Sequence, residues 1–391
     1  MASGKGDLLQ PAEMLGRLVA FNTVSARSNQ QLIDHVAAYL AGYGLKAELA
    51  QSPDGEKFDL IATIGPSEPG GVILSGHTDV VPVEGQDWSS DPFTLRAADG
   101  RLYGRGTADM KGFIATALAL VPEFLSLGLR RPLHLVLSYD EEVGCLGAPG
   151  LIRRFQTDFP DAVAAIIGEP TSMKLVNAHK GITAFETSIT GRPGHSSNPD
   201  AGVSAITVAA ELIDFLQSLA TDFKSRGGDA RFQPPHATLS VGTIVGGNAI
   251  NIIAENCTLG WECRSVAGDE AAEAKARTEF HCTETLLPAM RNYAPETVIE
   301  TKCLANVPPL RAGARNSAEE LVRHLTGQNQ AGVISFAAEA GLFQEAGIDA
   351  VICGPGSIEQ AHQANEYVEV RQLDECAAFF RKLAKWAAGA S

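Results

Sequence analysis

The stretch 72-VILSGHTDVVP-82 decides the fold, read together with 104-GRGTADMKG-112 and 133-LHLVLSYDEEVG-144. Val72 to Leu74 and Leu133 to Leu137 are short apolar runs bounded by Gly, Pro or Asp, the mark of strands buried on both faces. Between them, Lys111 to Leu127 carries a helical pattern that Gly128 closes. Leu60 to Ile64 and Ala164 to Ile167 add two runs of the strand type, and two amphipathic helical patterns precede Gly44. Strands alternating with helices predict an α/β domain with a mostly parallel, helix-covered sheet.

From about residue 180 the pattern changes. Residues 185–191 (FETSITG), 237–244 (ATLSVGTI) and Thr258 to Arg264 alternate like strands exposed on one face, separated by helical patterns at Val203 to Leu219 and Glu270 to Met290. That describes a smaller α+β unit with an antiparallel sheet. The α/β pattern resumes with Ala350 to Cys353 and a final amphipathic helix from Leu373 to Ala387. The expected organisation is a first domain over 1–179 and 293–391, with 180–292 inserted into it.

Composition excludes several classes. With 31 Lys+Arg against 46 Asp+Glu, the formal charge is −15, so no nucleic-acid partner is expected. No apolar run approaches the ~18 residues of a membrane span, and residues 1–14 carry no secretory pattern, so a cytoplasmic protein without membrane contact is expected. The 7 cysteines are scattered without a Cys-x-x-Cys pair, which fits neither a disulfide framework nor a thiolate zinc site. GRGTAD begins like a dinucleotide fingerprint, but Asp109 stands where the last glycine belongs and would repel a pyrophosphate. A Gly-x-Ser-x-Gly elbow, a P-loop and a His-Glu-x-x-His helix are all missing from the sequence.

The residues left to carry chemistry are His and carboxylates just beyond predicted strands, on the rim where open α/β sheets bind ligands. His77 and Asp79 are two apart at a strand end and point the same way, so Asp79 can accept a hydrogen bond from the far nitrogen of a ligating His77. Asp109 is either a helix N-cap or a carboxylate able to bridge two cations. Asp140, Glu141 and Glu142 form either a solvated turn or a pair in which one Glu binds metal and the other faces water. Glu169 follows Ala164 to Ile167, and His362 follows Ala350 to Cys353. Clustered carboxylates suppress one another's ionisation unless cations offset them. Imidazole with carboxylate and no thiolate suits zinc, cobalt or manganese in an open site, and two His with three carboxylates suit two metals.

These motifs resemble the M20 family of dinuclear metallohydrolases: GHTDVVP, GRGTADMKG, DEEVG, GEPT, PGHSS and a late histidine occur in that family's order across nearly the whole chain. The longer stretches GEPTSMKLVNAHKG, SFAAEAGLF and AHQANEY are similar to members that remove an N-acyl group from an amino acid. The resemblance implies one divalent metal ion on His77, Asp109 and Glu169, and a second on Asp109, Glu142 and His362, with zinc first and cobalt as the alternative. It makes Asp79 the residue that orients His77, and Glu141 the general base. His195 would stabilise the oxyanion, and Asn251 and Arg264 would contact the small-molecule N-acyl amino acid substrate. The inserted domain would be a lid that forms a homodimer. Other acyl groups, other amino acids or dipeptides are rival substrates, and a non-catalytic metal-containing module is a rival of another class.

Overall fold

The computed structural model describes residues 9–68, 70–158 and 162–389, which fall into two compact units. One comprises residues up to Ala178 with Ala312–Val333 and Ala338 onward; the other comprises His179–Arg311 with Ile334–Ala337.

The first unit is built on an eight-stranded sheet whose first six strands in spatial order are Ala47–Gln51, Phe58–Ile64, Leu133–Ser138, Val72–His77, Ala164–Pro170 and Ala350–Gly354. The last four of these run parallel, while the two outer strands pair antiparallel. Every residue of the four parallel strands is buried, as continuous apolar runs require when helices cover both faces. Helices Pro11–Val19, Gly112–Ala119 and Val370–Ala387 supply much of that cover, with Phe113 edge-on to Phe380 at 5.1 Å. The strands Val176–His179 and Gly332–Ile334 follow at the far edge of the eight-stranded sheet, and Arg96–Ala98, Arg101–Tyr103 and Tyr367–Glu369 form a separate three-stranded sheet.

The helix expected over Lys111 to Leu127 is divided into Gly112–Ala119 and Val121–Ser126, because Pro122 in the first turn of the second piece has no N–H to continue the ladder. It is preceded by a wide turn, Thr107–Lys111, in which Asp109 (φ −123°, ψ 94°) and Met110 leave helical geometry.

The second unit holds a four-stranded antiparallel sheet, in order Thr238–Gly246, Asn256–Arg264, Ile182–Thr190 and Val298–Val307. Alternating burial along Ile182–Thr190 turns Phe185 and Ile189 toward helix Ala205–Arg226, and Phe185 stacks on Trp261 at 4.3 Å. The boundary expected at residue 292 is therefore too early. Val298–Val307 is paired along its whole length with Ile182–Thr190, which carries the second unit to Arg311. Among the described residues, no helix is long and apolar enough to cross a membrane.

Candidate metal centre

The four adjacent parallel strands all end on one rim, and each delivers a candidate ligand there or just beyond. Val72–His77 ends on His77, Ala164–Pro170 contains Glu169, Leu133–Ser138 leads into Glu141 and Glu142, and Ala350–Gly354 leads to His362. The wide turn sets Asp109 between them. His77 Nε2 lies 3.1 Å from Asp109 Oδ1 and 3.7 Å from Glu169 Oε1. His362 Nε2 lies 3.2 Å from Asp109 Oδ2 and 3.0 Å from Glu142 Oε2. The two oxygens of Asp109 thus face two separate His–Glu pairs.

The electrostatics are those of carboxylates crowded around two imidazoles. Burial pushes Glu169 and Glu141 well above the ordinary carboxylate range, with Asp109 adding to the push on both. Burial also raises Glu142, again with Asp109 reinforcing it. Burial opposes charge on Asp109 too, but His362 and His77 outweigh it and hold its carboxyl below the usual range. At His362, Asp109 and Glu142 push the imidazole up to about 10. Burial works against a charged His77, yet Asp109 and Asp79 prevail and its pKa stands well above normal. Glu142 Oε1 and Glu169 Oε1 are buried without a hydrogen-bond partner. Ligand atoms of His77, Asp109 and Glu142, and likewise of His77, Glu141 and Glu169, lie within 4.8 Å of one another. Orphaned carboxylate oxygens beside imidazole nitrogens are the donor set that divalent cations satisfy.

Asp79 stands against His77 through both its backbone and its side chain. The hydrogen-bonding contact of His77 Nδ1 is the backbone carbonyl of Asp79 at 3.0 Å, and the carboxylate stands 3.6 Å away. That carboxylate also accepts from Ser25 Oγ at 2.7 Å and from the backbone N–H groups of Glu141 (3.1 Å) and Glu142 (3.3 Å). It therefore orders the loop that carries the Glu pair.

The three expected substrate contacts lie in the second unit. The exposed His195 holds Ser197 Oγ at 2.7 Å through Nδ1, and its segment pairs with that of Asn251, with Ser196 N–H donating to Asn251 O at 3.1 Å. Arg264 turns its guanidinium onto Glu262, with Nε–Oε1 at 2.9 Å. Unexpected from sequence were Glu339, which accepts from Ser75 and Ser138 behind the rim, and Glu366 with Arg105 beneath Asp109. The spacing His362-x-x-x-Glu366 was the available signal for the latter.

Fold and cluster define a class: an α/β protein carrying a His–carboxylate centre at the sheet rim, buried at His77, Asp109 and Glu169 and open at His362, suited to two divalent cations. The chain belongs to peptidase family M20/M25/M40, whose model matches residues 73–386. It is 36% identical over 373 residues to an acetylornithine deacetylase of Yersinia pestis, covering 93% of each chain. It is 33% identical over 363 residues to one of Buchnera aphidicola, covering 91% of this chain and 92% of that protein. In structure it is similar to an M20 family metallo-carboxypeptidase from Sulfolobus solfataricus, with a TM-score of 0.74, 18% identity and coverage of 97% and 99%.

Proposed function

We propose that this protein is a metal-dependent amidohydrolase that converts N2-acetyl-L-ornithine and water to L-ornithine and acetate, a step of arginine biosynthesis. The single observation that supports the chemistry best is Asp109, whose two oxygens face His77 with Glu169 and His362 with Glu142. The substrate is supported by relatives named acetylornithine deacetylase that align over nearly their whole length.

Two divalent cations, zinc or in its place cobalt, would be held by those five residues and would supply Lewis acidity toward the acyl oxygen and acidify water. The carboxylate of Glu141 takes the proton of the attacking water and delivers it to the amide nitrogen as the carbon–nitrogen bond breaks. Asp79 holds Glu141 in place through its backbone N–H. His195 stabilises the oxyanion, and Asn251 and Arg264 bind the substrate, with Arg264 exchanging Glu262 for the α-carboxylate. A homodimer through the second unit is supported by its edge strand Thr238–Gly246, which leaves Ile244 and Val245 exposed. Seven free cysteines suit the cytoplasm.

The test is kcat/KM on N2-acetyl-L-ornithine, N-succinyl-diaminopimelate, other N-acetyl amino acids and dipeptides, before and after chelation and zinc or cobalt restoration. Acetylornithine should give the highest value, chelator should abolish it, and Glu141→Ala should lose about 100- to 10,000-fold in kcat while retaining two metals. Equal or better turnover of another substrate refutes the specificity. Chelator-insensitive turnover, or near-normal kcat in Glu141→Ala, refutes the mechanism.

A further inference from the structure

Glu366 lies outside the reaction just described, yet its carboxylate is the most fully engaged one near the centre. The residue is 1% exposed. Its Oε1 accepts from the backbone N–H groups of Ala108 at 2.9 Å and Asp109 at 3.1 Å. Its Oε2 accepts from Gly106 N–H at 3.0 Å and from Arg105 Nη1 at 2.7 Å. Three of the four donors are amides of the segment that presents Asp109.

Arg105, also 1% exposed, carries the connection onward. Its Nη2 donates to Gln86 Oε1 at 2.5 Å, and Gln86 Nε2 donates to the backbone carbonyl of His362 at 2.9 Å. His362 sits at φ 60°, in the left-handed region that residues other than glycine seldom adopt. Such a conformation persists where the surroundings hold the backbone, and the Gln86 contact does so. The base of the network is fixed in turn, because Tyr367–Glu369 pairs with Arg101–Tyr103 immediately beside Glu366 and Arg105.

A buried ion pair is weak evidence for stability, since apolar replacements of similar volume often serve as well. What this pair does that an apolar pair would not is accept three specific amides and orient one amide side chain. We infer that Glu366 and Arg105 form a positioning network for the two cation sites: Glu366 sets Asp109 through its backbone, and Arg105, acting through Gln86, sets His362. The inference rests on the dinuclear reading above and adds to it residues that touch neither cation nor substrate.

The two arms are separable by direct cation affinity, measured by chelator-buffered zinc titration with cobalt absorption as a second readout, on the full chain. Gln86→Leu releases only the His362 arm, so one site should weaken about 10- to 100-fold while the other stays within twofold of wild type. Glu366→Gln removes acceptor capacity under Asp109, which faces both sites, so both should weaken. A merely structural role would lower the thermal transition of the metal-free protein and leave affinities unchanged. The inference is overturned if Gln86→Leu leaves both affinities within twofold, or weakens the two equally. Should Glu366→Gln fail to fold, Gln86→Leu still decides. A wild-type protein that binds no pair of cations would overturn the dinuclear reading itself, a result distinct from an unchanged variant.

Discussion

Asp59 lies in the strand Phe58–Ile64 with 4% exposure, and its Oδ1 has no hydrogen-bond partner. Burial, with Glu339 and Asp140 adding and Arg154 opposing, pushes its carboxyl up to about 8. The folded chain therefore keeps a proton that the unfolded chain releases near pH 4, so Asp59 lowers stability progressively as pH rises from about 4 to about 8. Asp59→Asn removes that dependence. Its Tm should exceed that of wild type by several degrees at pH 8, with the gain shrinking toward pH 4 in a calorimetric series. A gain independent of pH would contradict the assignment. Glu142 and Glu169 carry the same orphaned oxygens, but theirs converge with two imidazoles. Convergence separates a site from an isolated buried acid. Such convergence was legible in the sequence because four of the five expected ligands, His77, Glu142, Glu169 and His362, follow short apolar runs, whereas Asp109 is presented by the turn Thr107–Lys111. The carboxylate contacts of Asp79 and Glu366 were not legible, since their partners are largely backbone N–H groups, which every residue but proline carries and no side-chain pattern advertises.

At the level of elements, what was readable follows burial. The four parallel strands are buried throughout and built on short apolar runs that stand out in the sequence, whereas Val298–Val307 is mostly exposed and its residues do not alternate apolar with polar, so its place in the second sheet emerges only from pairing. One close fit between elements was also hidden. A Cβ on Gly168 would lie 2.1 Å from the ring of Phe113, so strand Ala164–Pro170 and helix Gly112–Ala119 meet with no room for a methyl group. Gly168→Ala must push apart the elements that carry Glu169 and follow Asp109. We expect a cost on the order of 3 kcal/mol from overpacking, read as a lower Tm, together with weaker zinc binding. Phe113→Leu in the same chain should recover part of both, because the two changes share one contact. Additive effects would place the clash elsewhere.

For the molecule as a whole, the net charge of −15 has two components. Most is surface charge, but Asp109 and Glu169, at 5% and 3% exposure, belong to a centre where cations would offset them. All six cluster residues, His77, Asp109, Glu141, Glu142, Glu169 and His362, lie within the first compact unit, although they span 286 positions from 77 to 362. That unit is assembled from both ends of the chain, with cores distinct from the Phe185–Trp261 cluster of the second. A cation that binds only the folded state stabilises what it binds, by about 2.7 kcal/mol at a hundredfold excess over Kd. The benefit must therefore fall on one unit. Hydrogen exchange with and without chelator should show lost protection for amides of Thr107–Lys111 and the strand Val72–His77, while Leu259 and Trp261 keep theirs. Equal loss in both units would mean that they open together and that cation binding holds the whole chain. Loss confined to the second would remove the centre from the place where its six side chains converge.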